Sequence, residues 1–156
     1  MTQTGDMEDP AAPTFSHFGI CVSDLDRSLR FYCDGLGFEK AESHVIGHDF
    51  AALMDLSDVA VTSQFIRRGH VAIELLGFED PTPFGDGERR PLNQLGLTHL
   101  SFRVEDLAAT LARIVEHGGA VVETSRTSIE LGPTQLQFVY CTDPDGVRIE
   151  LMDLGA

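Results

Sequence analysis

The chain is poor in basic residues, with 11 Lys and Arg against 25 Asp and Glu, which gives a formal net charge of −14. A surface this negative repels phosphate backbones and anionic lipid headgroups. The sequence therefore argues against a nucleic acid or a membrane surface as partner. It does not exclude an anionic small molecule, because a local arginine or a metal ion can outweigh the overall field.

The sequence also lacks long apolar runs and paired cysteine motifs. No apolar stretch approaches the roughly 20 residues of a transmembrane helix, and the N-terminal residues have neither the basic region nor the apolar centre of a signal peptide. The cysteines are odd in number and have no C-x-x-C spacing: Cys21, Cys33 and Cys141. We therefore expect reduced thiols in a cytoplasmic protein.

Two short strings each occur twice in the chain. The frame H-x4-V-x-D-L-x3-L begins at His17 and again at His99, and the string V-x-I-E-L stands at Val71–Leu75 and at Val147–Leu151. Each half of the chain thus offers one histidine early and one glutamate late. The repetition indicates a duplicated module.

The pattern of apolar residues, glycines and prolines predicts the organisation of the chain. We expect a disordered tail over residues 1–13, a first module over 14–79, a linker rich in Pro, Gly and charge over 80–94, and a second module over 95–156. Each module has the pattern βαβββ, so the fold class is α+β. A half of this size cannot bury both faces of its sheet, but two halves within one domain can pair their sheets around a shared concavity.

Alternation and helix stop signals predict the individual elements. In the first half a helix follows Ser23 or Asp24, and strands are expected at Phe38–Ala41, Ala51–Leu53, Val59–Ile66 and Gly69–Leu76. In the second half the expected elements are a strand at Thr98–Val104, a helix at Asp106–His117, and strands at Ala120–Thr124, Leu136–Cys141 and Val147–Met152. The segment Thr124–Gln135 is predicted to be a loop.

The repeated histidines and glutamates predict a metal site. Strand alternation sets His17 opposite Phe18 and sets Glu74 opposite Ile73, and His99 and Glu150 repeat this arrangement. A lone histidine or glutamate on a strand usually faces water, but both types recur in both halves within the same strings. Since buried glutamates are rare unless neutralised, a divalent cation held by two imidazoles and two carboxylates explains the pattern.

Other polar residues are weaker candidates. His44 and His48 could line the mouth of the site. Four arginines could hold a substrate carboxylate, although such residues are more often solvated: Arg67, Arg68, Arg103 and Arg126. Neither a phosphate-binding glycine loop nor a Ser-His-Asp arrangement is visible.

The sequence resembles the vicinal oxygen chelate superfamily, the glyoxalase/bleomycin-resistance/dioxygenase group, over roughly residues 14 to 153. The motifs that carry the resemblance are His17-Phe-Gly-Ile, Asp24-Leu-x3-Leu-x-Phe-Tyr, Leu36-Gly-Phe38, Ile73-Glu-Leu75, Thr98-His-Leu-Ser-Phe102 and Asp143-Pro-Asp-Gly-x-x-Ile-Glu-Leu151. The resemblance implies two tandem βαβββ modules that form an open barrel around a metal site. It also implies a homodimer, in which a site lies within one chain or is shared between two chains.

The glutamate at position 74 distinguishes between branches of this superfamily. Extradiol dioxygenases use two histidines and a single glutamate, and methylmalonyl-CoA epimerases commonly carry Gln at the position of Glu74. The resemblance thus implies a glyoxalase-I-like ligand set: His17, Glu74, His99 and Glu150. It implies one divalent ion per site (Zn, Ni, Co, Mn or Fe(II)), with Glu150 as the catalytic base and Glu74 able to share that work.

The resulting prediction is a metal-dependent lyase or isomerase, similar to lactoylglutathione lyase or methylmalonyl-CoA epimerase. Such an enzyme transfers a proton next to a carbonyl of a small oxygen-chelating substrate, such as a hemithioacetal or an acyl-CoA thioester. Two alternatives stay open. One is an Fe(II) ring-cleaving dioxygenase that uses His17, His99 and Glu150, and the other is a non-catalytic small-molecule-binding protein of the same fold.

Overall fold

The structure is a computed structural model that describes residues 12–155. The predicted tail over 1–13 therefore lies outside the described residues, apart from Ala12 and Pro13. Two mixed β-sheets with few helices give the α+β class that the sequence predicts. The sheets curl but do not close into a barrel. No helix in residues 12–155 is long and apolar enough to cross a membrane.

The first half forms a four-stranded sheet in the order β1-β4-β3-β2, with β1 parallel to β4 and the other pairs antiparallel. Its elements are β1 (Phe18–Val22), α1 (Leu25–Leu29), a π-helical turn (Arg30–Gly35), β2 (Glu39–Ile46), a 3-10 turn (His48–Phe50), β3 (Ala60–Arg68) and β4 (Val71–Asp80). The predicted strand at Ala51–Leu53 is wrong, because these residues continue the turn. Ala51 packs there against Val59 and Val61 in a small separate core.

The second half repeats this sheet, with the order β5-β9-β8-β6 and an additional strand, β7, paired with β8. Its elements are β5 (Leu100–Arg103), α2 (Leu107–Glu116), β6 (Ala120–Val121), a 3-10 turn (Glu123–Ser125), β7 (Thr127–Leu131), β8 (Thr134–Thr142) and β9 (Arg148–Asp153). The predicted loop Thr124–Gln135 is therefore wrong in part, since it contains β7. Both β6 and β7 pair with β8, so that together they take the place that β2 has in the first half.

The aspartate of the repeated frame begins the helix in each half. The side chain of Asp24 accepts a hydrogen bond from the backbone N–H of Arg27 (2.9 Å), and Asp106 accepts one from Ala109 (2.8 Å). Such caps satisfy amide groups that the first helical turn leaves free. The frame is thus a strand, a cap and a helix, and it fixes where each histidine enters its sheet.

The two halves pack together through one apolar core that joins their helices and sheets. Phe31 and Ile114 are fully buried and meet at Gly119, where a Cβ would lie 2.5 Å from the Phe31 ring. Polar contacts cross the same boundary: the Tyr32 hydroxyl donates to Asp143 (3.0 Å). The contacts that fix the two sheets relative to each other therefore lie on the side of the sheets that the helices cover.

Candidate metal centre

The first histidine–glutamate pair lies where β1 and β4 run side by side. Gly19 is in register with Glu74 across this parallel ladder. His17, two residues before Gly19, extends along the same face, and its Nε2 lies 3.2 Å from Oε2 of Glu74. Both side chains are partly buried.

The second pair repeats this geometry in the other half. Ser101 of β5 is in register with Glu150 of β9, and Nε2 of His99 lies 3.5 Å from Oε2 of Glu150. The structure therefore brings together the histidine and the glutamate of each repeat.

Each imidazole is oriented by a hydroxyl and by an aromatic ring. The residue before each histidine places its Oγ atom at Nδ1: Ser16 at 2.9 Å from His17, and Thr98 at 3.0 Å from His99. A hydroxyl oxygen that accepts the Nδ1 proton leaves the Nε2 lone pair free to bind a metal. The rings of Phe65 and Tyr140, which pair in register with the two glutamates, contact the imidazoles edge to face.

Each glutamate accepts a hydrogen bond from a serine, but the serines come from different strands. Ser63 of β3 donates to Oε1 of Glu74 (2.5 Å), whereas Ser101 of β5 donates to Oε2 of Glu150 (2.7 Å). Ser63 thus holds one oxygen of Glu74, and the other oxygen faces Nε2 of His17. Oε1 of Glu150 has no such contact with any described residue, so the two carboxylates are not equivalent.

Within each histidine–glutamate pair, the two donor atoms are spaced as two ligands of one divalent cation would be. Ligand atoms bound to one ion at about 2.1 Å and at right angles lie about 3 Å apart, close to the separation within each pair. Over residues 12–155, however, no three His, Cys, Asp or Glu side chains are grouped closely enough to hold a metal. The structure does not bring the two pairs to a single point within one chain.

The weaker candidates lie mostly away from both pairs. His44 is the nearest, since its ring lies 6.3 Å from that of Phe65, which also contacts His17. The other candidates form surface ion pairs or line a different cavity: His48 with Asp58, Arg67 with Glu42, Arg126 with Glu123, and Arg68 with Arg103 beside α2.

Sequence reasoning missed Arg148, which precedes Glu150 by two residues on β9. It is only 8% exposed, and its guanidinium lies 5.3 Å from the centre of the Tyr140 ring. The repeated string V-x-I-E-L could have indicated this residue, because its variable position is Arg148 in the second half and Ala72 in the first.

A protein-family model matches most of the chain. The model described as Glyoxalase/Bleomycin resistance protein/Dioxygenase superfamily matches residues 14–151. The chain belongs to this superfamily. The resemblance predicted from the repeated histidine and glutamate strings is thereby confirmed.

Relatives within the superfamily match most of the chain. The protein YaeR of Escherichia coli K12 is 32% identical, over 88% of this chain and 93% of its own length. A probable lactoylglutathione lyase of Synechocystis is 31% identical, over 90% of this chain and 95% of its own length. An ethylmalonyl-CoA/methylmalonyl-CoA epimerase of Cereibacter sphaeroides is 29% identical, over 87% and 94% respectively.

Solved structures of the superfamily share the fold. A glyoxalase family protein from Bacillus cereus superposes with a TM-score of 0.80 at 22% identity, covering 96% of this chain and 99% of that protein. The trypanothione-dependent glyoxalase I of Leishmania major superposes with a TM-score of 0.61 at 21% identity, covering 91% and 87%. At such identities the likeness shows the fold alone.

Proposed function

We propose that this protein is a metal-dependent lyase or isomerase of the glyoxalase I type. The reaction is proton transfer next to a carbonyl, on a hemithioacetal or an acyl-CoA thioester. The observation that carries the proposal is the duplicated pair, in which each histidine has a hydroxyl at Nδ1 and each glutamate accepts a serine hydrogen bond. The similarity to a probable lactoylglutathione lyase and to an acyl-CoA epimerase supports this reaction class.

The ligands of the proposed metal are His17, Glu74, His99 and Glu150. Two carboxylates balance the charge of one divalent ion (Zn, Ni, Co, Mn or Fe(II)), which lowers the cost of burying all three charges. When bound, the ion supplies a Lewis acid that stabilises negative charge on a substrate oxygen.

The separation of the two pairs within one chain favours a site that two copies build together. In this homodimer, His17 and Glu74 of one copy face His99 and Glu150 of the other. Apolar side chains on the outer strands support the pairing, because Val45 of β2 is 89% exposed and Leu131 of β7 is 65% exposed. Both strands lie at the edge of their sheets, where a second copy can cover such side chains.

The two glutamates differ in how well they are prepared to accept a proton. In Glu74 the oxygen that does not face its histidine, Oε1, is held by Ser63, whereas the corresponding oxygen of Glu150, also Oε1, has no partner among residues 12–155. Ser101 holds the other oxygen of Glu150, which fixes the carboxylate and leaves Oε1 available to accept a proton. This asymmetry favours Glu150 as the general base, with Glu74 mainly a ligand.

A substrate screen on metal-defined protein tests the proposal. The protein is stripped with a chelator and reloaded separately with Zn, Ni, Co, Mn and Fe(II). It is then assayed on the hemithioacetal of methylglyoxal and glutathione, on methylmalonyl-CoA and on catechols. We expect turnover of one of the first two compounds that disappears with the chelator and returns with metal. Activity that the chelator does not change would contradict the proposal.

One observation favours a second candidate, an Fe(II) ring-cleaving dioxygenase. Its ligands are His17, His99 and Glu150, and it leaves Glu74 outside the metal shell. Ser63 donates to Oε1 of Glu74, so that carboxylate keeps a hydrogen bond when it does not bind the metal. Oxygen-dependent cleavage of a catechol by the Fe(II) protein, retained in a Glu74→Gln variant, would select this candidate.

A further inference from the structure

Arg148 is a buried cation for which the described residues provide no acidic partner. The residue is 8% exposed, and no carboxylate in residues 12–155 lies within ion-pair distance of it. Nη2 donates to the backbone carbonyl of Arg90 (2.5 Å), whereas Nε is buried without an acceptor. Burial of a charge is costly unless an opposite charge compensates it. The guanidinium is therefore poised for an anion.

Arg148 lines a cavity of about 240 Å³ at the seam between the two halves. Its lining comes from both halves and from the segment between them, and includes Gly19, Cys21, Arg90, Leu97, His99 and Arg148. Because His99 lines this cavity and also belongs to the second histidine–glutamate pair, a molecule in the cavity lies beside the proposed metal centre. Arg90 also lines the cavity, and its backbone carbonyl accepts the hydrogen bond from Arg148.

The buried arginine occurs in only one of the two repeats. Ala72 occupies the position of Arg148 in the first V-x-I-E-L string, and Phe65 occupies that of Tyr140. The face of Tyr140 stabilises the guanidinium above it. The two half-sites are otherwise similar, but only the half-site of the second repeat carries a group that can bind an anion.

We propose that the seam cavity binds a carboxylate of a small organic ligand, with Arg148 as the group that recognises it and Arg90 as a second contact. A planar guanidinium binds a carboxylate through two parallel hydrogen bonds. That this ligand is the substrate rests on the proposed function, but carboxylate binding itself does not require the metal. In a chain with net charge −14, a local cation is what lets an anion approach.

Titration of the chelator-treated protein with malonate tests the inference, with malonamide as the uncharged analogue. Amide chemical shifts of the ¹⁵N-labelled full chain report the position and the affinity. We expect malonate, but not malonamide, to shift the amides of residues 19–21, 99 and 146–148. Arg148→Gln is expected to weaken malonate binding by about tenfold or more, the loss typical of a charge-assisted hydrogen bond.

Two further variants separate recognition from structure. Arg126→Gln, which removes a surface arginine paired with Glu123, is the matched control and is expected to bind malonate like the wild type. Arg148→Lys keeps the charge without the planar fork and is expected to bind with intermediate affinity. If Arg148→Gln does not fold, the amide shifts that malonate and malonamide cause in the wild-type protein still test the inference.

Three results would overturn the inference. They are equal binding of malonate and malonamide, shifts confined to residues outside the cavity, and unchanged malonate affinity in a folded Arg148→Gln variant. The last result, together with a lower melting temperature, would mean that Arg148 only anchors the carbonyl of Arg90. Failure of the protein to bind metal would contradict the proposed function and would leave this titration unaffected.

Discussion

The hydroxyl of Tyr32 couples the first half of the chain to the strand that carries Glu150. It donates to Oδ2 of Asp143 (3.0 Å), and both residues are buried. Oδ1 of Asp143 accepts the backbone N–H groups of Asp145 (2.9 Å) and Val147 (2.8 Å), which order the turn before β9. Tyr32→Phe keeps the ring in the core and leaves Oδ2 without its donor.

The expected magnitude follows from the loss of one hydrogen bond to a buried carboxylate. Hydrogen bonds to charged groups contribute about 1.5–3 kcal/mol, so we expect the free energy of unfolding of Tyr32→Phe to fall by about 2 kcal/mol at pH 7. Urea unfolding followed by circular dichroism measures it. Tyr140→Phe is the control, because the Tyr140 hydroxyl has no hydrogen bond to a described residue, and we expect a change below about 0.5 kcal/mol.

The effect also has a defined pH dependence. Burial raises the pKa of Asp143, although its hydrogen bonds lower it in part. Without the Tyr32 donor the pKa of Asp143 rises further, because Oδ2 of the charged carboxylate is left without a hydrogen bond. Protonation of Asp143 then removes the buried negative charge. The loss of stability in Tyr32→Phe should therefore be fully present above the raised pKa and shrink as the pH falls through it. A loss no larger than that of Tyr140→Phe, or one independent of pH, would refute the reasoning.

Other variants probe the site and the core. Glu150→Gln should retain most of the bound metal, measured by elemental analysis, and lose turnover by about 100-fold or more; full activity would rule out this base. Ser63→Ala and Ser101→Ala should each weaken metal affinity about 10-fold or more in chelator competition, and the exposed Ser128→Ala should not. Burial raises the pKa of Cys141 from 9.0 to about 12, so the folded state keeps a proton that the unfolded state loses. The free energy of unfolding should then fall as the pH rises from about 9 towards 12, with a shallower slope in Cys141→Ala and no difference in slope if the reasoning fails.

The two local motifs were predictable because their geometry is local. An aspartate in each frame caps a helix, and a parallel pair of neighbouring strands is enough to set His17 beside Glu74 and His99 beside Glu150. Strand alternation supplies the face on which each side chain lies.

The distance between the two pairs was not predictable, since it depends on how the halves pack. The core around Phe31 and Ile114 fixes that packing, and the repeated strings carry no information about it. Propensity also misread Ala51–Leu53, where a short apolar run serves a small core in a turn. It missed β7, whose pairing with β8 lies in a polar segment without clear alternation.

Mixing two damaged variants tests the shared metal site most directly. One variant carries His17→Ala and Glu74→Gln, the other His99→Ala and Glu150→Gln, and they are co-expressed with different tags so that the heterodimer can be purified. In a twofold dimer with shared sites, the heterodimer has one intact site and one site damaged in both halves. We therefore predict about one tightly bound metal ion per heterodimer, about two per wild-type dimer and about none per damaged homodimer. A heterodimer as free of metal as the two homodimers would contradict a site built from two chains.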